Sequence, residues 1–141
     1  VPSFEVASDP TAFEQEASRI RAGLREFNDA AAGNPAFRPL RVIARDEARE
    51  LIGGLLGATY WGWLHVEVLW VAAAQRRHGC GTRLLALAES EAERRGCRDA
   101  YLDTFSFQAR PLYERLGYRV VGTLDDFPSG HQRYFMAKRL G

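Results

Sequence analysis

The segment Arg76-Arg77-His78-Gly79-Cys80-Gly81-Thr82 has the residue types and spacing to hold a phosphate. Two glycines let successive backbone N–H groups turn toward one point, and a helix beginning near Gly79 adds the positive end of its dipole there. Arg76, Arg77 and Arg83 would add charge-assisted contacts to a pyrophosphate or a ribose phosphate. The run is not a Walker loop, since it lacks the Gly-Lys-Ser/Thr ending. Nor is it the dinucleotide Gly-x-Gly-x-x-Gly, because position 84 is Leu and no parallel unit precedes it. A glycine pair at a helix start is otherwise a plain tight turn; the three arginines and the strand before it favour the phosphate. His65 and Glu67 form a second chemistry-bearing pair, two apart on a predicted strand and so on one face of it.

The elements that must position these residues follow from periodicity. Phe4-Glu5-Val6 is a short predicted strand. Asp9-Pro10 offers a cap for a helix over Thr11 to Asn28, with Phe13, Ala17, Ile20 and Leu24 at helical spacing. Gly33, Asn34, Pro35 and Pro39 make Ala30 to Pro39 a loop. Leu40 to Ala44, Leu51 to Tyr60 and Leu64 to Val71 read as three sequential strands of an antiparallel meander. After an Ala72 to His78 loop, Leu84, Leu85, Ala88 and Ala92 stripe a helix over Gly79 to Arg95, with Gly96 as its C-terminal stop. Ala100 to Thr104 is a strand, Arg110 to Leu116 a short helix, and Tyr118 to Thr123 and Gln132 to Lys138 the last strands. The order of elements predicts an α/β (α+β) fold, a mixed sheet with helices on its faces, forming one domain over residues 1–141.

Composition narrows the function classes. The 141 residues carry 19 Lys+Arg against 18 Asp+Glu, a formal charge of +1, which gives no reason to expect a nucleic-acid partner. No apolar run is long enough to span a bilayer, and the first residues lack a basic region followed by an apolar stretch, so neither membrane nor signal peptide is expected. Two isolated cysteines, Cys80 and Cys97, with no Cys/His cluster, argue for reduced thiols, no metal and a cytoplasmic setting.

Arg76-Arg77-His78-Gly79-Cys80-Gly81 resembles the Arg/Gln-x-x-Gly-x-Gly/Ala signature of the GNAT superfamily of acetyl-CoA-dependent N-acetyltransferases. Ala109-Arg110-Pro111-Leu112-Tyr113-Glu114-Arg115-Leu116-Gly117-Tyr118 is similar to the family's Ala-x-x-x-Tyr-Glu-x-x-Gly-Phe/Tyr segment, with a helix and a strand between the two, as the family requires. The resemblance covers Val42 to Leu140. The run Asp103 to Ala109, with Gly130-His131 and Arg133-Tyr134-Phe135, is also similar to a group of small bacterial GNAT proteins.

The resemblance implies that acetyl-CoA lies where the strand Leu64 to Val71 splays from Ala100 to Thr104. Its pantetheine would pair with strand backbone, including Val71, and its pyrophosphate would rest on the amides of His78 to Thr82, covering Gly79, Cys80 and Gly81, beside Arg76 and Arg77. A bulge in the first strand would free an N–H to polarise the thioester carbonyl, with Leu69 and Trp70 as candidate donors. Tyr113 matches the general acid, a phenol protonated at neutral pH that can deliver a proton to the departing thiolate. His65 and Glu67 are the candidate bases, acting through water, or else they satisfy polar neighbours or bind substrate. Where many members carry Asn, this chain has Ser106, whose hydroxyl retains one hydrogen bond for the cofactor.

For the acceptor, Tyr60, Trp61, Trp63 and Trp70 cluster around the hairpin that the resemblance places beside the acceptor cleft, where aromatics stack on a substrate or surround a cation, or else pack in the core or a dimer interface, the reading favoured for Trp70. Asp103, Asp125 and Asp126 can attract an amine, although Asp125-Asp126 also reads as a solvated turn. The expected function is acetyl transfer to a primary amine of a small molecule or peptide. The alternative is a catalytically silent acyl-CoA-binding module, which would keep Gly79 and Gly81 without depending on Tyr113, His65 or Glu67. A homodimer through an exposed edge at Gln132 to Lys138 completes the expectations.

Overall fold

The computed structural model describes residues 3–11 and 13–141. Its elements are α1 (Glu14–Ala32), β1 (Arg38–Arg45), β2 (Leu51–Tyr60), β3 (Trp63–Val71), a 3-10 turn (Ala73–Gln75), α2 (Cys80–Arg94), β4 (Asp99–Phe105), α3 (Arg110–Arg115), β5 (Arg119–Asp125) and β6 (Gln132–Arg139). The chain divides into two compact units, residues 1–35 and Ala36–Gly141.

In the first unit, α1 carries Ala17, Ile20, Leu24 and Phe27 along one side, while Glu14 and Arg21 pair at 2.7 Å on the polar surface. The helix starts later and runs further than the periodicity predicts. Asp9 is used in a local turn, accepting from the Thr11 N–H at 2.9 Å and the Thr11 hydroxyl at 2.7 Å. At the other end three alanines favour helix up to Gly33, so the loop expected over Ala30 to Pro39 shrinks between α1 and β1. The strand expected at Phe4 to Val6 does not form. Phe4 and Val6 are 82% and 84% exposed, and a segment this short, with no partner ladder and no buried face, gains nothing from extended pairing.

In the second unit six strands form one mixed sheet in the order β1-β2-β3-β4-β6-β5. Neighbours are antiparallel except β3 and β4, which run parallel because α2 carries the chain back between them. Leu84, Leu85, Ala88 and Ala92 of α2 bury their stripe on Leu40, Val42, Leu55, Leu64 and Val66, and Ala100, Leu102 and Met136 continue the same core. The last strand is not an edge. β6 lies between β4 and β5, which encloses Met136 completely, and β5 forms that border of the sheet.

Along β3 the burial pattern changes phase. Leu64 and Val66 face the core, then Leu69 and Val71 do, with Glu67 and Val68 both turned outward. The pairing explains the slip: Gly57 sits opposite Val66 and Leu56 opposite Val68, leaving Glu67 as an extra residue in a β-bulge. Gly57 makes this possible, because a Cβ there would overlap the His65 carbonyl oxygen. No described helix is long and apolar enough to cross a membrane.

Candidate active site

β3 and β4 pair from Trp63 against Asp99 to Val66 against Leu102 and no further. Beyond that step β3 stays with β2 and β4 stays with β6, so the sheet forks. The bulge at Glu67 supplies the extra twist that turns β3 away. A cleft of about 830 Å³ fills the fork and reaches the start of α2 and one side of α3. Its walls include Leu69, Val71 and Thr104, which belong to the core face, and Glu67, Trp70 and Asp103, which belong to the other, so the cleft runs through the sheet.

The backbone of the fork is polar and directional. Ala72 donates its N–H to the Ile52 carbonyl at 2.8 Å. Amides alternate in direction along an antiparallel ladder, so those of Val68 and Trp70 also point to β2, whereas those of Leu69 and Val71 point into the fork. Trp70 therefore meets the cleft through its half-exposed indole, and Leu69 through its amide.

At the other end of the cleft, Gly79 precedes α2 with φ +81°, in the left-handed region that glycine enters without strain, and no side chain caps the helix. The first-turn N–H groups are left for a ligand. Arg77 (φ +65°) and Arg76 precede it, and the Arg76 Nε donates to the Val71 carbonyl at 2.9 Å, tying the approach to the end of β3. Arg76, Arg77, Gly79, Cys80, Gly81 and Thr82 all line the cleft. His78 and Arg83 do not; they border a second hollow of about 760 Å³ between α2 and β1. An uncapped helix start beside two arginines, leading to an unpaired strand edge, fits an elongated thioester with a phosphate-bearing end.

Tyr113 projects from α3, is 6% exposed and lines the cleft. Burial, helped by the negative charge of Asp103, pushes its phenol up to about 12, so the group is a protonated donor at neutral pH. Tyr118 stacks edge-on to it at 5.9 Å but donates its own hydroxyl to Glu89 at 2.9 Å, which places it in the core scaffold with Lys138.

Glu67, exposed at the bulge, lines the cleft; His65 does not. The His65 ring lies parallel on Tyr101, 4.4 Å between centroids, and the Tyr101 hydroxyl bonds that of Tyr60. Burial first, then that contact and the carboxylates of Glu67 and Asp103, raises the Tyr101 phenol above its ordinary range. Ser106 is also outside the cleft lining. Its N–H donates to the Gln132 carbonyl at 2.8 Å, its hydroxyl accepts from the Gln132 N–H at 3.1 Å, and that hydroxyl lies 3.3 Å from His131 Nδ1.

Several lining residues escaped sequence reasoning. Leu112 and Arg115 flank Tyr113 in its own motif and enter the cleft with it. Gln108 holds the β4–α3 connection by accepting from the Phe105 N–H at 2.9 Å. Among the described residues no group of three or more His, Cys, Asp or Glu side chains is arranged to hold a metal ion.

Comparison with known proteins agrees with this geometry. The model of the acetyltransferase (GNAT) family matches residues 5–118. Acetyltransferase Atu2258 of Agrobacterium fabrum is 40% identical over 135 residues, covering 96% of this chain and 98% of its own. Blasticidin-S acetyltransferase of Streptomyces morookaense is 44% identical over 107 residues, covering 73% and 79%. The crystal structure of an acetyltransferase from Bacillus cereus superposes with a TM-score of 0.88 at 31% identity, covering 95% and 98%. The chain belongs to the GNAT acetyltransferase family, and it is an acetyl-CoA-dependent acetyltransferase.

Proposed function

We propose that the protein acetylates a primary amine of a small molecule or peptide by direct attack on the thioester of acetyl-CoA. The observation that carries this reading is the passage through the sheet, which brings Glu67 on one prong, Asp103 on the other and Tyr113 of α3 to one cleft. The phosphates of acetyl-CoA rest on the first-turn amides of α2 beside Arg76 and Arg77, and its pantetheine follows the edge of β3. The Leu69 amide polarises the thioester carbonyl. The acceptor enters from the face bearing Glu67.

Glu67, directly or through one water, takes a proton from the ammonium. The neutral nitrogen bonds to the carbonyl carbon, the C–S bond breaks and the thiolate takes the proton of Tyr113. The proton still in excess on the amide nitrogen then passes through water to the tyrosinate, which leaves a neutral amide, the CoA thiol and a reprotonated phenol. His65 serves as a support for Tyr101 and not as the base, because its ring is stacked away from the cleft lining. The blasticidin-S relative supports an amine-bearing small molecule as acceptor.

The test is isothermal titration with acetyl-CoA and CoA, followed by thiol release against a panel of primary amines. Binding with amine-dependent release is expected. Binding with no release from any amine would overturn the amine acceptor, and no binding would overturn the phosphate assignment.

A further inference from the structure

Asp103 has a built support behind it. Arg133 reaches its Oδ2 from Nε at 2.8 Å and from Nη2 at 2.7 Å, with both side chains under a third exposed. Asp103 faces Phe135 across the β4–β6 ladder, so Arg133, two residues away, is its diagonal neighbour. The guanidinium sits over three phenyl rings, 5.3 Å from the centroid of Phe105, 5.1 Å from Phe127 and 5.3 Å from Phe135. Phe127 comes from the β5–β6 turn, which is itself tied to the end of β4 through Ser106 and Gln132. Arg133 does not line the cleft, but Asp103 does.

Two carboxylates at one fork repel unless a cation intervenes. Arg133 lies on the Asp103 side, and its contacts fall on Oδ2. A carboxylate paired with a guanidinium in this way offers only acceptor oxygens, so whatever meets Asp103 in the cleft must donate. We propose that Arg133 is a positioning residue for acceptor recognition: it fixes the Asp103 carboxylate on the β4 prong, where Asp103 receives the ammonium of the incoming amine opposite Glu67. The inference rests on the amine-transfer reading and assigns to Asp103 binding of the acceptor, not proton removal.

The test is steady-state kinetics on Asp103→Asn, Arg133→Gln and Arg133→Lys, varying a primary amine that the wild type acetylates and, separately, acetyl-CoA. Asp103→Asn should raise the amine KM about tenfold to a hundredfold, the scale of a charge-assisted hydrogen bond, and leave the acetyl-CoA KM unchanged. Arg133→Gln should move the amine KM in the same direction, and Arg133→Lys should bring it back toward wild type. An amine KM unmoved in Asp103→Asn overturns the inference, as does an Arg133→Gln variant that raises both KM values alike, the mark of a loosened scaffold. Absence of amine-dependent release from the wild type would instead overturn the amine-transfer reading, and this inference with it.

Discussion

Glu67 and Asp103 are equivalent residues on the two prongs of the fork: each directly follows the last paired step, Val66 against Leu102. Adjacent strands lie about 5 Å apart at that step, so both carboxylates begin within reach of one small group. The parallel pairing that ends there is set by the α2 crossover, and its end is set by the bulge. Two features of the backbone thus decide where acid and base chemistry can meet.

Tyr113 gives the most direct kinetic prediction. Tyr113→Phe removes the proton donor but keeps the ring packed on Tyr118, so kcat should fall about 10²-fold while the affinity for CoA stays unchanged. The sign of the pH dependence follows from the raised phenol. Because burial moves it up to about 12, it remains protonated through pH 10, and wild-type kcat/KM should show no alkaline loss from this group in that range. A pH profile that falls near pH 9 and loses that limb in Tyr113→Phe would contradict the raised phenol, whereas an unchanged kcat in Tyr113→Phe would remove Tyr113 from the mechanism.

Gly57 lies outside the cleft lining yet governs it. A methyl at this position would overlap the His65 carbonyl, so Gly57→Ala must push β2 from β3 or remove the bulge. Overpacking of this kind costs about 1–3 kcal/mol. Thermal unfolding should show a lower Tm, and kcat should drop in the protein that remains folded, because the phase of Glu67 depends on the bulge. A variant as stable and active as wild type would show that the bulge is not needed.

The sequence made the fold and the two ends of the cleft readable, for physical reasons. The α2 stripe of Leu84, Leu85, Ala88 and Ala92 and the glycines at 79, 96 and 117 are local signals, and local signals mark helix starts and stops. The bulge is a relation between two strands, and period two along β3 alone cannot reveal the change of phase after Val66. The available clue was Gly57 inside a predicted strand, a position where glycine marks a bulge or a close backbone approach. The place of β6 inside the sheet was equally hidden, since Gln132 to Lys138 reads the same at an edge or between neighbours. The Arg133–Asp103 pair spans thirty positions of sequence and exists only through the β4–β6 register.

The cradle at α2 is testable through Gly79. Its φ of +81° is strained for any residue with a Cβ, by about 1–2 kcal/mol, although no atom lies within 4 Å of where that Cβ would stand. Gly79→Ala should therefore act on backbone conformation and not by collision, turning the first-turn amides of α2 away from the phosphates. Titration calorimetry should show weaker binding of CoA, with a Tm lowered modestly. Unchanged CoA affinity would separate the turn from phosphate binding.

The choice of base between two neighbours on β3 can be decided by paired substitutions. His65 stacks on Tyr101 at 4.4 Å and stays outside the cleft lining, whereas Glu67 lines it. Phenylalanine can replace the imidazole while keeping the stack, so His65→Phe should retain kcat near the wild-type value. Glu67→Gln keeps the shape and the hydrogen-bonding capacity but loses the proton acceptor, and should lower kcat about 10²-fold or more near neutral pH. Raising the pH should restore part of that loss, because a larger share of the amine then arrives already neutral and no base is required. The reverse pattern, with His65→Phe inactive and Glu67→Gln active, would transfer the role to His65 and would require its ring to leave Tyr101 during turnover.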